Sequence, residues 1–110
     1  MLVDLQERLD KKSYEAAKIY VTIEDYKAAT FALKNALKEN PDNRYREEIM
    51  YQLVVSNYKY ANQSVKAKQK ERYLAFVDEY YNFVSEFPES KYKKSIAGMF
   101  EHSQTVINNK

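Results

Sequence analysis

Apolar residues recur at three- and four-residue steps from the first residues of the chain: Leu2, Leu5, Leu9, Ala16, Ala17, Ile19, Tyr20 and Ile23. That spacing lines one face of a helix and predicts a long amphipathic helix over about 2–24, with Ser13 as its only hint of a break. Asp25 is placed to cap a second helix, whose apolar positions Ala28, Ala29, Phe31, Leu33, Ala36 and Leu37 run until Asn40-Pro41 stops it. After Pro41, Asn43 is the expected N-cap of a third helix carrying Ile49, Met50, Leu53, Val54 and Tyr58, which ends near Ala61 to Ser64. A fourth helix is expected from about Val65 to Phe87, where Pro88 ends it as Pro41 ended its counterpart. Ser90 should cap a fifth helix with Ile96, Met99, Phe100, Val106 and Ile107, and Asn108-Asn109-Lys110 is expected to fray.

The pattern repeats. Glu39-Asn-Pro-Asp-Asn-Arg-Tyr-Arg-Glu-Glu-Ile49 returns as Glu86-Phe-Pro-Glu-Ser-Lys-Tyr-Lys-Lys-Ser-Ile96, 47 residues later, and Tyr26, Ala28 and Asn35 align with Tyr73, Ala75 and Asn82 at the same spacing. Internal repeats of this length signal a solenoid, in which stacked helix pairs build one continuous core and present a surface for holding something.

Composition narrows the class without naming a partner. The 110 residues hold one glycine, two prolines and no cysteine. So few turn residues leave all-α as the only serious class, and the lack of cysteine removes disulfide frameworks and cysteine-based metal or redox sites. No run approaches the roughly 18 apolar residues of a membrane span. A net charge of +2 lacks the strong basic excess typical of nucleic-acid domains.

Residue by residue, the first hairpin resembles the tetratricopeptide (TPR) pattern, a 34-residue helix pair closed by a proline. Taking Pro41 as the closing proline, Ala29, Leu33 and Ala36 fall on the second-helix packing positions, and Ala17 and Tyr20 on the small and aromatic positions of the first helix. Ser13 stands where the pattern usually has tryptophan. In the second unit Phe76 and Phe83 stand where small residues are expected, so its helices should sit farther apart. The reading is therefore all-α: a TPR-like α-solenoid of two antiparallel helix hairpins plus a C-terminal helix, with repeat one at about 2–41, repeat two at about 43–88 and the last helix at about 90–108. Matching Tyr58 to Tyr20 and Tyr73 to Tyr26 places the excess over the standard unit as four residues after Asn43 and nine between Ala61 and Arg72.

The links Asn40-Pro-Asp-Asn-Arg-Tyr-Arg-Glu-Glu-Ile49 and Phe87-Pro-Glu-Ser-Lys-Tyr92, together with the opening Leu5-Gln-Glu-Arg-Leu-Asp-Lys-Lys-Ser-Tyr-Glu-Ala-Ala-Lys-Ile-Tyr20, resemble the C-terminal repeats of BamD-like outer-membrane assembly lipoproteins. Tyr51, the segment 68–73 and Tyr80-Tyr81 are similar to the Bacteroidetes form. The resemblance implies a non-enzymatic protein-interaction scaffold at the periplasmic face of the outer membrane. The implied partners are the periplasmic POTRA region of the barrel-forming subunit and other assembly lipoproteins. It also implies that the chain is a piece of a longer repeat protein whose lipid-anchoring cysteine and upstream repeats lie elsewhere, with Leu2, Leu5 and Leu9 on the cut face.

Catalysis has little to stand on: His102 is the only histidine, and one glycine cannot build a phosphate-cradling loop. No catalytic, cofactor or metal residues are assigned. Glu47-Glu48 and Asp78-Glu79 are helix neighbours pointing about 100° apart, which does not make an acid and base pair. Lys66, Lys68, Lys70 and Arg72 read as a solvated face, with contact to phosphate or acidic lipid as the sharper alternative. Among the 11 tyrosines, Tyr20, Tyr26, Tyr58 and Tyr73 are expected in repeat packing and Tyr45 and Tyr92 as staples of the links. Tyr14, Tyr51, Tyr60 and Tyr81 are left as candidates for a partner surface. First helices line the concave face of a TPR array. With Ala17 and Val55 as their small positions, Lys11, Tyr14, Lys18, Gln52, Ser56 and Lys59 should face the groove, which would suit an acidic or extended polypeptide. A cytoplasmic TPR adaptor of unrelated role and a basic helical nucleic-acid-binding domain are the alternative functions.

Overall fold

A computed structural model describes residues 2–108 of the chain, with side chains from Leu5 onward. The side chain of Leu2 and the expected fraying of Asn109 and Lys110 lie outside the described residues. Five helices follow in order: α1 Leu2–Thr22, α2 Tyr26–Glu39, α3 Arg46–Gln63, α4 Lys66–Glu86 and α5 Lys93–Asn108. The fold is all-α and TPR-like, with α1 against α2, α3 against α4, and α5 closing the far side.

Local chemistry explains most boundaries. α1 ends in a left-handed turn in which the N–H of Asp25 reaches the Tyr20 carbonyl at 2.9 Å and that of Glu24 reaches the Val21 carbonyl at 3.0 Å. Glu24 carries the left-handed φ of 61° that this closure needs. Asp25 then caps α2 by accepting from the Ala28 N–H at 3.2 Å. The two links differ from the sequence expectation in one respect. Asn43 and Ser90 do not cap α3 and α5 directly; their side-chain oxygens accept from the N–H groups of Tyr45 at 2.7 Å and Tyr92 at 3.1 Å, shaping a turn before helices that begin at Arg46 and Lys93. Asn and Ser favour such local turns for the same reason that they favour caps, so sequence alone does not separate the two.

α3 is the centre of the molecule because it is apolar on two faces. Ile49 and Leu53 join Ala17, Ala29, Leu33 and Ala36 in a core shared with the first hairpin. One residue later, about 100° around the helix, Met50 and Val54 join Phe76, Phe83 and Ile96 in a second core. Leu37 packs against both and makes them continuous. Ala29 and Ala36 of α2 have Phe76 and Phe83 as counterparts 47 residues on, all four buried, so the same two positions are filled by methyl groups in one hairpin and by rings in the other.

Each link is gripped by an acid and a tyrosine four residues apart on the preceding first helix. In α1, the Asp10 carboxylate accepts from the Arg44 N–H at 3.1 Å, from Asn40 Nδ2 at 2.9 Å and from Gln6 Nε2 at 2.8 Å, and Tyr14 stacks on Tyr45 with centroids 5.4 Å apart. In α3, Glu47 accepts from Ser90 Oγ at 2.5 Å, and Tyr51 stacks on Tyr92 at 4.0 Å. These pairs set the repeat register. Tyr51 follows Tyr14 by 37 residues, whereas Tyr92 follows Tyr45 by 47. Against a 34-residue unit the excess is therefore about three residues before the second tyrosine and about ten after it, where the sequence reading gave four and nine. Most of the later excess lies in α4, which has 21 residues against 14 in α2.

Candidate partner-docking face

The first helices α1 and α3, with α5, form one side of the array. Along its middle runs a strip of four tyrosines. Tyr14 and Tyr45 are stacked with planes 10° apart, Tyr51 and Tyr92 with planes 14° apart, and Tyr92 lies close enough to Tyr14 to act on its phenol electrostatically. All four are half-buried. Burial pushes the Tyr14 phenol above its ordinary value, the nearby Glu48 charge adds to this, and a hydrogen-bonding contact from Gln52 pulls the other way. Lys18 Nζ lies over the Tyr14 ring, 5.6 Å from its centroid.

Three of the six expected groove residues, Tyr14, Lys18 and Gln52, are thus brought together across α1 and α3. Lys11 and Lys59 are exposed at the two ends of the face. Ser56 is a correction: it is fully buried, with a hydroxyl that has no hydrogen-bond partner. The cause is the register. Pairing Val55 with Ala17 assumes a 38-residue offset, and the one-residue difference from the stacked tyrosines turns the expected face of α3 by about 100°. At the true offset Ser56 matches Ile19, which is exposed on α1 and enclosed on α3 because only α3 has a hairpin packed before it.

The tyrosines divide differently from the expectation as well. Tyr20, expected in packing, is 39% exposed, while Tyr14 and Tyr51, expected to be open to a partner, stack on the link tyrosines. Tyr60 lies under the Arg72 guanidinium at 4.3 Å, and Tyr81 is exposed at 54%. Two features escaped the sequence reading. An open depression of about 540 Å³ lies beside the Tyr51–Tyr92 stack, lined by Glu47, Glu48 and the link 86–91. His102 Nδ1 is 2.7 Å from the Tyr58 hydroxyl and its ring meets Tyr58 and Tyr73 edge-on. Neither has a local signature, although the shared spacing of Asp10 to Tyr14 and of Glu47 to Tyr51 would have given the register.

The whole of this framework, from α1 into the last turn of α5, falls within a single family match: the sequence model of YfiO, described as an outer membrane lipoprotein, covers residues 5–107. The chain belongs to the YfiO family. Membership of this BamD-like family supports an outer-membrane assembly lipoprotein role. A search of curated proteins finds no match to the chain. Among the described residues no helix is long and apolar enough to cross a membrane.

Proposed function

We propose that the chain is a docking scaffold, the C-terminal repeats of a BamD-like component, whose α1/α3/α5 face holds protein partners of the barrel-assembly machinery. The periplasmic POTRA region of the barrel-forming subunit is the first candidate and other assembly lipoproteins the next. The observation that carries this reading is the joining of Tyr14, Lys18 and Gln52 with the four-tyrosine strip. Rigid rings with lysine and amide groups at their edge are the composition from which interface anchors are drawn. Recognition on such a face needs no covalent chemistry, because the links lock the first helices in one geometry before a partner arrives.

The test is titration calorimetry of the chain against the isolated periplasmic domains of the barrel subunit. Lys18→Glu and Gln52→Ala should each weaken binding by about tenfold or more, as expected for residues near the centre of an interface. Equal affinity for the wild type and both variants, or no binding by the wild type, would remove the docking reading.

A further inference from the structure

The extra length of the second hairpin has no part in the docking face, and it ends in a charged tip. α4 begins at Lys66, seven residues before Tyr73, whereas α2 begins at Tyr26, the residue that matches Tyr73. Seven residues are about 10 Å of helix, so at the pole shared by the hairpin turns α4 starts about two turns, and α3 ends about one turn, beyond the matching ends of the first hairpin. At its end Val65 is 69% exposed. Lys66, Lys68 and Lys70 follow, all exposed, and the sequence holds no acidic residue between Glu48 and Glu71. The first hairpin's turn carries Glu24 and Asp25 instead, so of the two hairpin turns only the projecting one is free of acids.

The tip is held on a fixed support: Arg72 Nη1 donates to Ser64 Oγ at 2.6 Å, Ser64 Oγ donates to the Tyr60 carbonyl at 2.6 Å, and the Arg72 guanidinium lies over the Tyr60 ring at 4.3 Å. An exposed apolar residue followed by lysines on a fixed support matches the chemistry of an anionic bilayer surface, with an aliphatic group for the interface and charges for the phosphates. The family description, an outer membrane lipoprotein, places its members beside a lipid bilayer.

We propose that the tip formed by Val65, Lys66, Lys68 and Lys70 is a contact for anionic phospholipid headgroups, independent of the docking face. Each lysine near an anionic surface strengthens partitioning by about fivefold, so removing three should lower it by about a hundredfold.

Co-sedimentation with vesicles of equal parts phosphatidylglycerol and phosphatidylcholine tests this, with phosphatidylcholine vesicles as the neutral reference. The proposal expects binding only to the anionic vesicles and its loss as salt rises from about 0.05 M to about 0.5 M. Changing Lys66, Lys68 and Lys70 together to Gln should abolish binding, and Val65→Ser should weaken it. Changing Lys91, Lys93 and Lys94 to Gln, the same charge difference at the opposite pole, should leave it unchanged. Circular dichroism checks that each variant remains helical. Absence of binding to anionic vesicles at low salt would overturn the proposal, as would equal losses from the two triple variants. Tip-dependent binding of a single-stranded oligonucleotide with none to vesicles would overturn it in favour of nucleic-acid contact.

Discussion

Tyr51 lies against Tyr92 with ring centroids 4.0 Å apart and planes 14° apart, and repeats in the second unit what Tyr14 and Tyr45 do in the first. The stack ties the middle of a first helix to the link that starts the next one. It thereby transmits the orientation of each unit to its neighbour, and the face built from α1, α3 and α5 inherits its shape from these two contacts.

If the stacks hold the register, a double-mutant cycle on Tyr51 and Tyr92, each changed to Leu, should give a coupling energy of about 0.5–1.5 kcal/mol in urea unfolding. The same cycle on Tyr14 and Tyr92, which adjoin without stacking, should give less. Equal couplings would show that the rings act as bulk apolar surface instead of as specific pairs.

Ser56 carries a buried hydroxyl that no group satisfies. Ser56→Ala should therefore stabilise the chain by about 1 kcal/mol, since it removes an unmet polar group from the core. Partner affinity should not change. A loss of stability would point to a hydrogen bond made by Ser56 in solution.

Two backbone positions should also respond to single changes. Gly98 is exposed within α5 and an added Cβ meets nothing within 4 Å, so Gly98→Ala should stabilise by about 1 kcal/mol, or about 4–8 °C in Tm. Glu24 holds a φ of 61° at the end of α1, so Glu24→Gly should gain about 1 kcal/mol by removing left-handed strain. Thermal melts of both variants decide the matter, and a lowered Tm in either would contradict the backbone argument at that site.

The pH dependence of stability should carry two opposed contributions. Hydrogen bonds from Gln6 and the Arg44 N–H hold Asp10 below its ordinary 3.8, with the Arg44 charge and Asn40 acting in the same direction against a partial desolvation. Its stabilisation is present above 3.8 and is lost as pH falls through the depressed value. Asp10→Asn should therefore cost most near neutrality and least in strong acid. Burial raises Glu79 above its ordinary 4.5 and the charge of Asp78 adds to this, with Lys34 opposing. Its ionisation costs folding stability once pH exceeds 4.5, so Glu79→Gln should stabilise at neutral pH and lose that advantage in acid. Urea midpoints across pH 3 to 7 would separate the two, because the variants should move in opposite directions from the wild type.

How much of this was legible in the sequence follows the range of the interactions. The helix spans were, because periodicity, Pro41, Pro88 and Asp25 act within a few residues of the boundary they set. So was the all-α, TPR-like fold, because the links repeat Glu, Pro, Tyr and Ile in the same register. The placement of the expected groove residues was only partly legible. Tyr14, Lys18 and Gln52 do converge, but Ser56 is enclosed, and the error arose from one residue of offset between α1 and α3.

Sequence by itself determined five helices, two proline-closed hairpins and membership of one family, since local spacing and composition carry that information. Tertiary structure alone decided which tyrosines stack, where the extra residues of the second unit project and which side of α3 is hidden. The physical reason is that a helix turns about 100° per residue, so the face it offers depends on its registration against distant neighbours. Here Asp10 and Tyr14 gripping one link, and Glu47 and Tyr51 gripping the next, set that registration across 31 to 43 positions of chain.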